Sequence, residues 1–141
     1  MEIHRFHKIC AAIQIQQKRN AGTLSRSGIG DTMRIDFNEM EEREMPCMNN
    51  GTGTMAARMY ADDLGRAVLC RIRPRGSIGL HRHDNGDDVN YVISGTGKAI
   101  CNGQEEILKA GVCHICRKGS EHSIENTGTV DLVLFTYVTV R

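Results

Sequence analysis

The chain has 141 residues, a formal net charge of +1, six cysteines, no tryptophan and only 4% aromatic residues. This length suits one domain with its own hydrophobic core, and the near-neutral charge argues against a nucleic-acid partner. The sequence has no apolar run of membrane-spanning length and no recognisable secretion signal, so we expect a cytoplasmic protein with no membrane partner. In that compartment the cysteines are expected as reduced thiols rather than as a disulfide framework.

Residues 1–32 differ in character from the rest of the chain. Five basic and two acidic residues give this segment a net charge of +3, which leaves −2 for the remainder. Apolar residues recur at helical spacing over about residues 3–18, a pattern typical of a short amphipathic helix, and residues 21–30 are rich in Gly, Ser and Thr. We therefore predict an N-terminal extension over residues 1–32, partly helical or irregular, and one β-domain over residues 33–141.

Short strands separated by turns are predicted for the rest of the chain. Residues 55–60 and 67–72 are rich in strand-forming residues and flank a turn at residues 62–65. Asn102 and Gly103 form the strongest short hairpin signal in the sequence, and residues 132–140 have the β-branched and aromatic content of a buried strand. Many short strands with regularly spaced turns favour a β-sandwich or barrel.

Two histidines one residue apart, His81 and His83, begin the most informative part of this β-domain. On a strand these two side chains point the same way and could chelate one ion, while Arg82 faces outward. Residues 84–87 read Asp-Asn-Gly-Asp, which we expect to be a hairpin turn. That hairpin would make Asp88 the cross-strand neighbour of His83.

A second stretch, residues 111–126, repeats this arrangement. A short strand, an Arg-Lys-Gly turn and a new strand beginning at His122 supply a further imidazole. Imidazoles and a carboxylate suit borderline divalent ions such as Fe(II), Mn(II), Ni(II) or Zn(II). Neighbouring histidines on a strand are often mere surface residues, so the prediction depends on the whole set. The predicted metal ligands are His81, His83, Asp88 and His122.

The two stretches resemble the two signature motifs of the cupin superfamily, G-x(5)-H-x-H-x(3,4)-E-x(6)-G and G-x(5)-P-x-G-x(2)-H-x(3)-N. The resemblance covers about residues 66–140 and is closest to small, single-domain bacterial cupins. It implies an all-β fold, the double-stranded β-helix or jelly-roll barrel. The first motif is matched by His81, His83, Asp88 and Gly95, and the second by Gly111, Gly119, His122 and Asn126.

Three positions depart from these motifs. Asp88 stands where the first motif has glutamate, and the loss of one methylene shortens the reach of its carboxylate by about 1.5 Å. Arg117 replaces the proline of the second motif and is expected to loosen that turn. Gly76, the opening glycine, precedes His81 by one residue fewer than the motif requires. Only the first departure bears on metal chemistry.

Strand parity predicts further residues that line the pocket. Asn90 shares the face of Asp88, and His114 shares the inward face of its own strand with Cys116. His114 would then contact substrate or support a ligand from behind, although quiet packing in the core explains it equally well. Cys113 and Cys116 form a CxxC pair, but their thiols would face opposite sides of a strand, which disfavours a redox or structural-zinc site.

The resemblance implies a small-molecule ligand and leaves two classes of function open. The first is a metal-dependent enzyme, such as a dioxygenase, decarboxylase or isomerase, acting on a small carboxylate or sugar-like molecule. The alternative is a non-catalytic module that binds or senses a metal or metabolite. No separate catalytic residue is identified. Cupins commonly dimerise, so the resemblance also implies a homodimer, formed through a barrel face or through strands exchanged within residues 33–60.

Overall fold

The computed structural model describes residues 33–140, so the predicted extension and helix of residues 1–32 lie outside the described residues. Within the described part, no helix is long and apolar enough to cross a membrane. Two short 3₁₀ turns, Phe37–Glu39 and Met48–Asn50, accompany ten strands. The strands are β1 (Arg43–Pro46), β2 (Thr54–Asp62), β3 (Gly65–Ile72), β4 (Ser77–Arg82), β5 (Asp88–Ser94), β6 (Thr96–Cys101), β7 (Gln104–Lys109), β8 (Cys113–Cys116), β9 (Glu121–Asn126) and β10 (Leu132–Thr139).

The strands form two antiparallel sheets. The larger sheet has the order β1-β2-β3-β10-β5-β8 and the smaller sheet the order β4-β9-β6-β7. Side chains alternate between the two faces of each strand, so every second residue points into the space between the sheets. The all-β prediction is confirmed. The core consists of fully buried aliphatic side chains from both sheets, among them Ile72, Val92, Leu108, Ile124, Leu132 and Leu134.

Two predicted hairpins are present in the structure. Strands β2 and β3 pair with each other and are joined by Asp63 and Leu64. Strands β6 and β7 are joined by Asn102 and Gly103, whose φ angles of 48° and 79° are the left-handed values that a two-residue hairpin turn requires. Asn and Gly tolerate these angles better than other residues, so the local sequence determines this turn.

The predicted hairpin at residues 84–87 is wrong. Strand β4 pairs with β9 in the smaller sheet, whereas β5 pairs with β10 and β8 in the larger one. Residues 83–87 therefore cross from one sheet to the other, and residues 117–120 make the corresponding crossing between β8 and β9. A turn rich in Asp, Asn and Gly suits a crossing as well as a hairpin, because both need only a sharp change of direction.

The two crossings are fastened to each other. The backbone N–H of His83 donates to the carbonyl of Ser120 at 3.0 Å, and the N–H of Gly119 donates to the carbonyl of His83 at 2.7 Å. The buried carboxylate of Asp87 accepts from the Arg117 guanidinium at 3.0 Å and from the N–H of Lys118 at 2.9 Å. The expectation that Arg117 loosens its turn is therefore wrong, because its guanidinium ties that turn to the other crossing.

Asn126, the last residue of the second motif, holds a corner of the barrel. Its buried amide donates to the carbonyls of Ile72 and Val130, both at 2.8 Å, and its carbonyl accepts from the N–H of Gly128 at 2.8 Å. A single side chain thus satisfies three main-chain groups at the end of β9, and a buried main-chain group without a partner is costly.

We expect Asn126→Ala to lower the free energy of unfolding by about 2–4 kcal/mol, because it removes these three hydrogen bonds at once. Urea denaturation of both proteins at the same metal load measures the difference. Glu125→Gln, at the exposed neighbouring position on the same strand, is the control and should change stability by less than about 0.5 kcal/mol. Equal midpoints for Asn126→Ala and the wild type would contradict this role.

Candidate metal centre

Three imidazole rings meet at one point between the two sheets. The Nε2 atom of His83 lies 2.9 Å from Nε2 of His81 and 3.1 Å from Nε2 of His122, and the latter two atoms are 3.2 Å apart. His122 is fully buried, and His81 and His83 are partly buried. The three ring nitrogens predicted as ligands therefore lie together with their Nε2 atoms facing one another.

Asp88 completes the cluster from the opposite sheet. Its Oδ2 atom lies 3.1 Å from Nε2 of His83 and 3.0 Å from Nε2 of His122. The predicted proximity of Asp88 to His83 is thus present, although a crossing rather than a hairpin produces it. The shorter aspartate side chain reaches the imidazoles, so the loss of one methylene relative to glutamate does not remove the carboxylate from the site. The four ligand atoms all lie within 4.8 Å of one another.

The smaller sheet positions the histidines. His81 on β4 is the direct partner of His122 on β9, so their side chains share a face. The register of this pair shifts between Ile78 and His81, and in this irregular stretch the carbonyl of Gly79 lies 2.8 Å from Nδ1 of His81. A Cβ at Gly79 would lie 2.1 Å from the carbonyl oxygen of Asn49, so only glycine allows the backbone to approach this closely.

These contacts determine where the imidazole protons lie. A carbonyl oxygen only accepts, so Nδ1 of neutral His81 donates to Gly79 and Nε2 keeps its lone pair. Nδ1 of His122 lies 2.8 Å from Nε2 of His114, so a proton on that nitrogen likewise leaves a lone pair on Nε2. Two lone pairs 3.2 Å apart repel unless a positive charge lies between them. The cluster fits a cation better than it fits a hydrogen-bond network.

The distances also match the coordination sphere of a divalent ion. For a metal–ligand distance of about 2.1 Å, two ligands at right angles lie about 3.0 Å apart, whereas tetrahedral ligands lie about 3.4 Å apart. Five of the six pairs in the cluster measure 2.9–3.2 Å. The sixth pair, His81 and Asp88, lies within 4.8 Å. Atoms spaced in this way would hold one divalent ion among His81, His83, Asp88 and His122.

The electrostatics of the site suit metal binding. Burial lowers the pKa of His81 to about 4, with the neighbouring His122 and His83 acting in the same direction, so its ring is neutral at pH 7. Burial alone would raise the pKa of Asp88, but the adjacent imidazoles of His122 and His83 outweigh it and hold the pKa below its usual range. The other carboxylate oxygen, Oδ1, is buried and has no hydrogen-bond partner among residues 33–140. Such an oxygen is available to a cation.

The predicted pocket-lining residues point inward. Asn90, His114 and Cys116 are at most 2% exposed. The Asn90 carbonyl accepts from the Thr136 hydroxyl at 2.7 Å. Burial raises the pKa of Cys116 to about 12, and Cys101 acts in the same direction. Since Cys113 is exposed and Cys116 is buried on the same strand, the CxxC pair does not form one site.

Glu106 on β7 is the residue that sequence reasoning missed. Its Oε2 atom lies 2.6 Å from Nδ1 of His114, whose other nitrogen contacts His122. His114 therefore does not stand in the core as a passive packing residue. Strand parity could have indicated Glu106, because it shares a face with the buried Leu108 two residues later. The acidic run Glu105-Glu106 instead resembles a solvated surface.

Two antiparallel sheets that enclose three histidines and a carboxylate define a β-barrel protein with a candidate metal centre. A family model described as a cupin domain matches residues 68–139, about half of the chain. The chain therefore belongs to the cupin family, and the predicted double-stranded β-helix is confirmed. The match contains all four residues of the candidate metal centre.

Two curated relatives and one solved structure illustrate the similarity. The chain is 39% identical over 62 residues to an oxalate-binding protein of Thermotoga maritima, covering 44% of this chain and about half, 51%, of that protein. It is 28% identical over 79 residues to the pectin degradation protein KdgF of Dickeya dadantii, covering 55% and 70%. A solved structure described as a predicted oxalate decarboxylase of Thermotoga maritima superposes with a TM-score of 0.73 at 26% identity, covering 77% of this chain and all of the other.

We expect tag-free wild-type protein to carry about one divalent ion per chain after metal loading, and His83→Ala and His122→Ala to carry none after dialysis. Each substitution removes a ligand atom. It should lower metal affinity by more than the 10–100-fold that is typical of replacing a residue that only hydrogen-bonds a ligand. Elemental analysis measures the metal content. Arg82→Ala is the control, because this exposed side chain directly precedes His83 in the chain and contacts Asp84 instead of the cluster. Wild-type protein that no divalent ion can load would refute the site.

Proposed function

We propose that this cupin is a metal-dependent enzyme whose divalent ion, held by His81, His83, Asp88 and His122, binds a small carboxylate and promotes its reaction. The observation that carries the proposal is the convergence of three imidazole Nε2 atoms and a buried carboxylate oxygen at 2.9–3.2 Å. Three imidazoles and a carboxylate suit a borderline divalent ion such as Mn(II), Fe(II), Ni(II) or Zn(II).

The charge balance of the site supports an anionic ligand. Three neutral imidazoles and one carboxylate cancel only one of the two positive charges of a divalent ion. The remaining charge lies in a partly buried site, where electrostatic attraction is stronger than in water. A small dicarboxylate would supply negative charge to balance this excess and oxygen donors for the ion. When bound, the ion acts as a Lewis acid on the coordinated oxygen.

The relatives favour the same ligand chemistry. One is named for oxalate binding and a solved structure is described as a predicted oxalate decarboxylase, and oxalate is the smallest dicarboxylate. The name of the other relative refers to pectin degradation, and pectin is built from sugar acids that also carry a carboxylate. We therefore propose oxalate or a similarly small dicarboxylate as the ligand and a uronate as the second class to test.

A non-catalytic binding protein is the second candidate, and one contact favours it. Both ring nitrogens of His114 are engaged, one by Glu106 and one by His122, so this buried side chain has no free nitrogen with which to move a substrate proton. The Thermotoga maritima relative is likewise named for binding rather than for a reaction. Formation of formate or oxidised products from oxalate would favour the enzyme, and saturable binding without turnover would favour the binding protein.

We expect oxalate to bind the metal-loaded protein at least tenfold more tightly than protein stripped with a chelator, because the ion supplies the coordinating positions. Isothermal titration calorimetry measures both affinities, with galacturonate as the comparison ligand and acetate as the monocarboxylate control. Asp88→Asn should bind less metal, since it replaces a charged ligand by a neutral amide. Equal oxalate affinity of loaded and stripped protein would contradict a metal-centred ligand site.

We also propose that the chain forms a homodimer through the outer face of the larger sheet. Tyr91 on β5 is the direct partner of Phe135 on β10, and Val89 on β5 is the direct partner of Ile115 on β8. Adjacent strands thus present one apolar surface to solvent, and a continuous apolar patch typically marks a protein interface. Its exposed members are Tyr91 (46%), Ile93 (46%), Ile115 (38%) and Phe135 (37%).

The cytoplasmic location stays a prediction from the sequence.

We expect Ile115→Arg to convert a wild-type dimer into a monomer, because it places a charge in the centre of this apolar face. Light scattering coupled to gel filtration gives the mass in solution. Leu64→Arg is the matched control, since Leu64 is also an exposed apolar residue, at 73%, but lies in the β2–β3 turn. A monomeric wild type, or a dimer that Ile115→Arg leaves intact, would contradict this interface.

A further inference from the structure

A chain of three side chains runs from the surface of the smaller sheet to the candidate metal centre. Oε2 of Glu106 lies 2.6 Å from Nδ1 of His114, and Nε2 of His114 lies 2.8 Å from Nδ1 of His122. The two rings are nearly parallel, with an interplanar angle of 22°. His114 and His122 are buried, whereas the side chain of Glu106 is 48% exposed.

The carboxylate of Glu106, at the outer end of this series, determines which ring nitrogens of His114 and His122 carry protons. An ionised carboxylate only accepts hydrogen bonds, so Nδ1 of His114 donates to Glu106. When His114 carries its single proton on Nδ1, its Nε2 offers a lone pair that accepts the proton on Nδ1 of His122. In that arrangement Nε2 of His122 is unprotonated and faces His81, His83 and Asp88. This is the tautomer in which His122 can bind a metal ion.

The three side chains of this series come from both sheets. Glu106 lies on β7 and His122 on β9, both in the smaller sheet, whereas His114 lies on β8 in the larger one. His114 therefore contacts His122 from across the barrel interior, where both rings are shielded from bulk solvent. His81 differs, because its Nδ1 contacts the main-chain carbonyl of Gly79. The orientation of His122 thus depends on side chains that substitution can remove.

We propose that His114, oriented by Glu106, is a positioning residue that presents the Nε2 lone pair of His122 to the divalent ion. The inference rests on the metal centre proposed above and assigns two residues outside the ligand set to it. Partners of this kind behind a metal-bound histidine typically contribute 10–100-fold to metal affinity. Neither residue touches the ion, so each acts only through His122.

Metal affinity is the first test, measured by competition with a chromogenic chelator for Mn(II) or Co(II). His114→Leu fills a similar space without an acceptor, and we expect it to weaken metal binding about 10–100-fold. Glu106→Gln leaves the His114 ring in place and should weaken binding several-fold. Glu105→Gln is the matched control, because this neighbour on β7 lies near Lys98 instead and should stay within about twofold of the wild type.

The second test reads the proton position without metal. Long-range ¹H–¹⁵N correlation spectra of metal-free protein distinguish the two imidazole tautomers, and we expect His122 to carry its proton on Nδ1 in the wild type and to populate both tautomers in His114→Leu. If His114→Leu does not fold, Glu106→Gln decides the question in both measurements. A wild-type protein that binds no metal would refute the proposed function, while the spectra still test the positioning role. Unchanged affinity and unchanged tautomer in the folded variants would overturn the inference.

Discussion

The convergence of imidazole nitrogens between the two sheets is the constraint on which the rest of this structure depends. The Nε2 atoms of His81 and His122 lie 3.2 Å apart, and each ring has its Nδ1 engaged elsewhere. Lone pairs at this distance in a buried site repel, since little water screens them. A cation between the two nitrogens would attract both lone pairs, and the carboxylate of Asp88 would offset part of the cation's charge. A divalent ion is therefore expected to stabilise the fold as well as to bind ligand.

Both sheets must meet correctly before this site exists. The imidazoles belong to the β4–β9 side of the barrel and Asp88 to the larger sheet, and 41 positions separate His81 from His122 along the chain. The two crossings that join the sheets are tied by the Asp87 carboxylate and by the main chain of His83. An unfolded chain holds no such arrangement, so a divalent ion bound here would contribute its binding free energy to folding.

The sequence predicted which four residues form the candidate metal centre better than it predicted the strand connections. His81 and His83 follow from side-chain alternation, and the motif spacing added Asp88 and His122, all of which the structure brings together. The hairpin at residues 84–87 was wrong because turn composition does not reveal which strand is the next neighbour. Arg117 was misjudged because its partner Asp87 lies 30 positions away. Such long-range pairings depend on the whole sheet order, which a local pattern does not contain.

The outer ring nitrogens of His81 and His122 contact different kinds of group, and these differ in how substitution can change them. Nδ1 of His81 contacts a main-chain carbonyl, and the close approach of Gly79 to Asn49 leaves no room for a side chain at that position. The proton of His122 goes to His114, which in turn depends on Glu106. Substitution at those two positions can weaken or strengthen one ligand while all four motif residues stay unchanged. If the proposed metal centre binds an ion, its affinity would therefore vary independently of the four ligand residues, because Nδ1 of His81 contacts the backbone and Nδ1 of His122 contacts a side chain.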